Sequence, residues 1–203
     1  MRFTTILAVI SSPIWSSPSQ AGKYTFDTTG SSVTFHNTAS LHGIDGVAKQ
    51  FNGRLDSDAG TGVLVVKTSS MTTNLGPRDK KMHEYCLEVE KFPTIDFNVS
   101  SVTGLDAINA GAAKGSVTLN GSLSIRDVSR PVSVPASFTT EGDDLTLAGQ
   151  LEFKWTDFKV PDPSIFISTL YPDMSVKFSL ALKGVAPPPQ APTETVPEPA
   201  PTE

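Results

Sequence analysis

The stretch SVTLNGSLSIR sends Val117, Leu119, Leu123 and Ile125 to one side of the chain and Ser116, Thr118, Asn120, Ser122, Ser124 and Arg126 to the other. Successive side chains of a strand leave opposite faces, so this period of two marks a half-buried strand. LTLAGQLEFKW repeats the pattern, turning Leu145, Leu147, Leu151, Phe153 and Trp155 one way. SVTFH, QFNGRLD, VLVVKT, TIDFNVSSV, PVSVPASF and MSVKFSLAL add further candidates, about eight in all. One apolar face per strand calls for an antiparallel sheet. With a single helical stretch to help, that sheet must cover itself, as a sandwich or a closed barrel. An all-β, eight-stranded antiparallel barrel with one helix between strands is the architecture expected over residues 22–185, because one short helix cannot cover an open sheet of this size.

A barrel of eight strands is either just filled by side chains or just wide enough for one slender ligand. Three glycines bear on that choice. Gly53 lies between Phe51 and Leu55, Gly121 between Leu119 and Leu123, and Gly149 between Leu147 and Leu151, each in the apolar register of its strand. They are either corners where a strand bends or gaps that leave an apolar bore. If the bore exists, Phe51, Leu55, Phe97, Leu123, Leu151, Phe153 and Phe178 line it together with the three glycines.

The helical stretch is RDKKMHEYCLEVEKF. Gly76-Pro77 makes a helix entry, Met82, Tyr85, Cys86 and Val89 form an apolar stripe, and Pro93 ends the run at or before Phe92. His83 and Cys86 sit three apart, but nothing nearby supplies the orienting group and oxyanion site that a catalytic pair needs. Two ligands also fall short of a zinc site. The stretch reads as a strap over whatever the strands enclose, with Cys86 a small buried side chain. His36 and His42 show no metal-ligand spacing, and no phosphate loop, GxSxG elbow or HExxH occurs. No enzymatic activity, metal or cofactor is expected. Between Trp155 and Met174 a proline-broken loop still carries Phe158, Phe166 and Tyr171, so it serves either as a plug across one barrel end or as the rim of an opening.

The ends differ in kind from the middle. Residues 1–21 run from Arg2 through an apolar segment, Phe3 to Ile10, to Ser19-Gln20-Ala21, the three-part pattern of a secretory signal. Residues 186–203, APPPQAPTETVPEPAPTE, are too polar and proline-rich to build a core and read as a disordered tail. The net charge is -5; leaving out Arg2 at one end and Glu194, Glu198 and Glu203 at the other leaves about -3 on the folded part. That mild acidity, without a basic stripe, argues against a nucleic-acid partner. One cysteine rules out an internal disulfide. The setting expected is the periplasm or the exterior, with no stable membrane insertion once the leader is gone, and a homodimer is compatible with the pattern.

Several of these segments match a known family in order and spacing. RDKKMHEYCLEVEKFPTIDF resembles the Arg-Asp-led helix and "(Y/F)PTI.F" strand of the YceI-like proteins. SLSIRDVSRPVSVPASF is similar to their "L.I.GVTRPV" hairpin, and FKWTDFKVP to their "DFGI..P" segment. SSVTF and VAKQFNGRLDSD resemble the opening strands, so the likeness spans roughly Lys23 to Gly184. It implies a lipocalin-like periplasmic barrel that holds a polyisoprenoid, quinone, fatty-acid derivative or other lipid-like molecule, with Arg78 and Asp79 near one opening; if the loop after Trp155 forms the rim, Phe158 and Phe166 stand at that mouth. Asp127 stands where the pattern has the hairpin glycine, and Lys159 where it has the glycine after Phe158. A filled barrel acting through its loops or tail as an envelope interaction module is the alternative.

Overall fold

The computed structural model describes residues 22–164 and 168–185. The leader, the tail and Phe166 lie outside them. Eleven strands run in chain order: β1 (Lys23–Asp27), β2 (Ser32–Ala39), β3 (Gly43–Ala48), β4 (Phe51–Asp56), β5 (Thr61–Lys67), β6 (Met71–Thr72), β7 (Thr94–Thr103), β8 (Lys114–Ile125), β9 (Val128–Glu141), β10 (Asp144–Lys154) and β11 (Leu170–Val185). The ring β1-β4-β5-β7-β8-β9-β10-β11 closes because β11 also pairs with β1. The protein is an eight-stranded antiparallel barrel.

Three barrel positions are shared by two short strands each. β11 pairs with β2 through Met174 to Ser179 and with β1 through Lys183 to Val185, so β1 and β2 occupy one position in series. In the same way β3 and β4 fill the next, since β2 pairs with β3 and β1 with β4. β5 and β6 fill the third, joined through a 3-10 turn at Thr68–Ser70. The eight runs read from alternation all fall on strands. β1, β3 and β6 are additional to them.

Helix α1 (Gly76–Lys81) begins with proline in its first turn, as expected, and then loosens into a π-helical turn, Met82–Leu87. The helix stops earlier than Phe92: Glu88 takes a left-handed conformation at φ 47° and ends it. The wider π turn brings the consecutive pair Cys86 and Leu87 inward, both 8% exposed, while Tyr85 turns out at 49%. A second helix, α2 (Leu105–Asn109), has no counterpart in the sequence reading and buries Ile108 at 4%.

The barrel is packed unevenly along its axis. Towards α2, Ile108, Val117, Phe138, Leu145 and Leu182 fill the interior. Towards α1, Cys86, Leu87, Leu123, Ile125 and Phe158 form a second cluster beneath the strap. Each fully buried Leu or Phe contributes about 1.5–3 kcal/mol. Phe153 and Phe158 meet edge to face, 5.3 Å between centroids and 80° between planes, which fixes that end of the 155–164 segment.

The glycines in the apolar register do not leave empty space. Phe26 pairs with Gly53 across β1 and β4, and a Cβ on Gly53 would collide with the Phe26 ring and the Val63 carbonyl. Gly149 faces Phe178, where a Cβ would lie 2.7 Å from Cζ and 2.6 Å from the Pro135 oxygen. Gly46 with Phe35 and Gly115 with Phe138 repeat the arrangement. Gly121 sits at the β7–β8 register shift, where a Cβ would strike the Asn98 carbonyl. Of the two readings left open, the structure takes the corner and close-approach one. The glycines still matter to the interior, because each paired ring lies on a bare stretch of backbone instead of projecting toward the axis.

Candidate functional site

Between the two packed clusters lies a cavity of about 640 Å³. Its wall is built by the inward register of nearly every strand. Val33 and Phe35 come from β2, Leu55 from β4, Leu64 and Val66 from β5, and Ile95 and Phe97 from β7. Leu119 and Leu123 on β8, Val134 on β9, Leu147, Leu151 and Phe153 on β10 and Val176 and Phe178 on β11 complete the ring. The strap adds Met82, Cys86 and Leu87. The volume falls within the range of about 300–1,000 Å³ typical of small-molecule sites.

The structure thus brings Leu55, Phe97, Leu123, Leu151, Phe153 and Phe178 into one wall. Phe51, 5% exposed, belongs to the core and not to this wall. Gly53, Gly121 and Gly149 are absent from it for the reason given above. Phe158 is a correction too: at 1% exposed it is wedged beneath the strap and plugs the barrel. Sequence reasoning missed Trp155, Met71, Met82 and Leu87 as wall residues. Trp155 could have been found, since it continues the apolar register of β10. Met71 and Leu87 depend on the break between β5 and β6 and on the π turn, and neither leaves a period in the sequence.

The mouth mixes polar and apolar side chains, unlike the wall. His42, Leu75 and Pro77 are exposed lining residues and mark an opening between the β2–β3 turn and the entry to α1. Arg78 also lines the cavity, held by Nε donating to Thr73 Oγ1 at 2.7 Å and Nη2 donating to the Thr73 carbonyl at 3.0 Å. Lys81 Nζ donates to the Pro163 carbonyl at 2.6 Å, tying α1 to the segment across the opening. Asp79 faces away from the cavity and fastens the strap. Its Oδ2 accepts from Thr72 Oγ1 at 2.6 Å, and Oδ1 accepts from the Thr73 N–H at 2.7 Å and Thr73 Oγ1 at 2.5 Å. Burial alone would raise this carboxyl, but the three hydrogen bonds, helped by nearby His83, outweigh it and hold the group below its ordinary value.

The arrangement offers little to a reaction. Burial pushes the Cys86 thiol up to about 11, so at neutral pH it is protonated and a poor nucleophile. His83 Nε2 donates to the Met71 carbonyl at 2.8 Å, and His36 Nδ1 pairs with exposed Asp45 at 2.7 Å. Among the described residues no three His, Cys, Asp or Glu side chains gather as a metal ion would need.

Known proteins share this architecture. Burkholderia cenocepacia BcnA superposes with a TM-score of 0.65 at 20% identity, over 77% of this chain and 98% of that one. A polyisoprenoid binding domain from Saccharophagus degradans, implicated in plant cell wall breakdown, superposes at 0.68 with 18% identity, over 80% and 98%. At such identities the likeness speaks for the fold. In sequence, UPF0312 proteins of Shewanella denitrificans and Vibrio campbellii are each 28% identical, over 69% and 77% of this chain and 78% and 85% of their own lengths. The model of the YceI-like domain matches residues 24–182, from β1 to the last turn of the barrel wall in β11. With that match spanning the whole barrel, the chain belongs to the YceI-like family.

Proposed function

We propose that this protein binds a long apolar or amphiphilic molecule, a polyisoprenoid, quinone or fatty-acid derivative, inside the barrel and carries or sequesters it in the cell envelope without chemical change. The observation that carries this reading is the 640 Å³ cavity with its nearly unbroken apolar wall. Hiding ~400 Å² of a hydrocarbon chain there is worth roughly 10 kcal/mol at 25 cal/mol per Å². Lost freedom on association offsets that by ~4 kcal/mol upward. A small polar ligand has no such term to draw on. The protonated thiol of Cys86 and the partnered histidines fit a binding site better than a catalytic one. The polyisoprenoid binding attributed to the Saccharophagus domain agrees with it, and an envelope setting fits the leader-like residues 1–21.

The test is Leu151→Trp. Leu151 is a partly buried wall residue, so the larger ring takes cavity volume without breaking a strand pairing. We expect an environment-sensitive hydrocarbon probe to bind at least about tenfold more weakly to the variant, a loss of some 1.4 kcal/mol, with melting little changed. Equal binding by both forms would place the probe outside the barrel and contradict the reading.

A further inference from the structure

Strand β2 buries Val33, Phe35, Asn37 and Ala39 in strict alternation, running from the packed cluster that holds Val33 toward the mouth at His42. Three of these four are apolar. Asn37 is not, yet it is 3% exposed and lines the cavity. A buried amide needs partners at both its nitrogen and its oxygen. The nitrogen has them: Nδ2 donates to the Tyr171 carbonyl at 3.0 Å and to the Asp173 carbonyl at 2.8 Å. Those carbonyls flank Pro172, in the stretch between Leu170 and Met174 where β11 slips its register against β2. The two bonds also fix which way the amide faces, since an oxygen turned toward two carbonyls would be repelled.

The oxygen has no partner. Oδ1 is buried and accepts from no group of the protein. Closing the slip in β11 explains the nitrogen and leaves the oxygen over. Donors on the facing segments are already committed: Trp155 Nε1 to the Tyr171 carbonyl at 2.9 Å, and the Leu170 N–H to Ser164 Oγ at 2.9 Å. Among the described residues Asn37 is the one cavity-lining residue with a buried polar side-chain atom left unpaired. Such an acceptor is costly until a donor reaches it. Because Oδ1 is all but covered, the donor it takes is a single small one, and an apolar surround disfavours a charged one.

We propose that Asn37 reads the polar end of the cargo: Oδ1 accepts a hydrogen bond from a neutral O–H, so the favoured cargo is a long chain ending in a free alcohol. The inference rests on the cargo reading and narrows it. An oxidised quinone offers carbonyl acceptors and an ionised fatty acid carboxylate oxygens, and either sets lone pair against lone pair at Asn37. The order of residues along β2 then gives the ligand its sense, with the hydroxyl toward the mouth and the chain against Phe35 and Val33.

The experiment titrates the full chain with farnesol and with farnesyl methyl ether, the same chain with its hydroxyl proton replaced by a methyl group, each displacing the hydrocarbon probe. Wild type should bind the alcohol about tenfold more tightly, the worth of one hydrogen bond to an acceptor otherwise left bare. Asn37→Leu, close to asparagine in size, should lose that preference while holding the ether at least as well. A preference that came from the bulk of the extra methyl would survive the substitution. The wild-type ratio needs no variant, so it decides the matter even if the substituted chain folds poorly without Nδ2. Alcohol and ether bound alike by wild type, or a preference undiminished in folded Asn37→Leu, overturns the role of Asn37 and leaves the cargo reading standing. Failure of the probe and both ligands to bind at all sinks the cargo reading and this inference together.

Discussion

Asp79 is the residue on which the strap's position most depends. It accepts three hydrogen bonds from Thr72, the last residue of β6, and Thr73, the residue after it, so the start of α1 is fixed to the barrel edge without a conventional side-chain cap on Leu75. Its carboxyl titrates below the ordinary value in the folded state. A depressed acid of this kind contributes stability above its unfolded value, about 3.9, and loses it as pH falls through the folded value. Denaturant melts of wild type and Asp79→Asn should therefore differ at pH 6 and converge as the pH drops below about 4. A difference that holds constant down to strong acid would mean the carboxylate charge contributes nothing. Neither the role nor its partners was legible in sequence: Arg78-Asp79 pointed to an opening, but only Arg78 lines the cavity.

At the scale of elements, three connections meet at Arg126. Its guanidinium pairs with Glu88 at the end of the π turn, donates from Nη1 to the Lys159 carbonyl at 3.2 Å, and stands 5.4 Å from the Phe92 ring. Arg126, Glu88 and Lys159 are themselves left-handed, at φ 56°, 47° and 53°. Each such non-glycine residue costs of order 1–3 kcal/mol and persists only where its surroundings over-determine it. The strain in the β8–β9 hairpin thus sits at Arg126 and not at Asp127, the position where the sequence departs from the family pattern, while Lys159 keeps the glycine-like conformation without glycine. Arg126 is mostly buried, its side chain 15% exposed against 36% for Glu88. Arg126→Met should cost about 2 kcal/mol in denaturant melts, and a cycle with Glu88→Gln should show coupling of about 0.5–1.5 kcal/mol. Additive effects would show that strap and hairpin are held independently. Long alternating elements were readable beforehand because period two survives over ten or more residues in β8, β9 and β10. β3, with GIDGVA, and two-residue β6 carry no such period and are defined only by their neighbours.

The whole molecule is a barrel packed at the α2 end, partly covered by the strap at the other, and hollow between, with the hollow opening beside the entry to α1. Its wall was half legible: Leu55, Phe97, Leu123, Leu151, Phe153 and Phe178 follow from alternation, because the inward register of a barrel strand is the cavity register. The hollow itself was not. It depends on how Phe26, Phe35 and Phe178 lie across Gly53, Gly46 and Gly149, a cross-strand matter set by register between segments far apart in sequence. Native mass spectrometry of the chain purified without detergent tests that hollow most directly. The account predicts a discrete mass excess of one lipid-like molecule, removed by organic solvent and restored by adding a long isoprenoid or fatty amphiphile. A chain that carries no adduct as isolated, and takes up none from a range of such lipids, would contradict it.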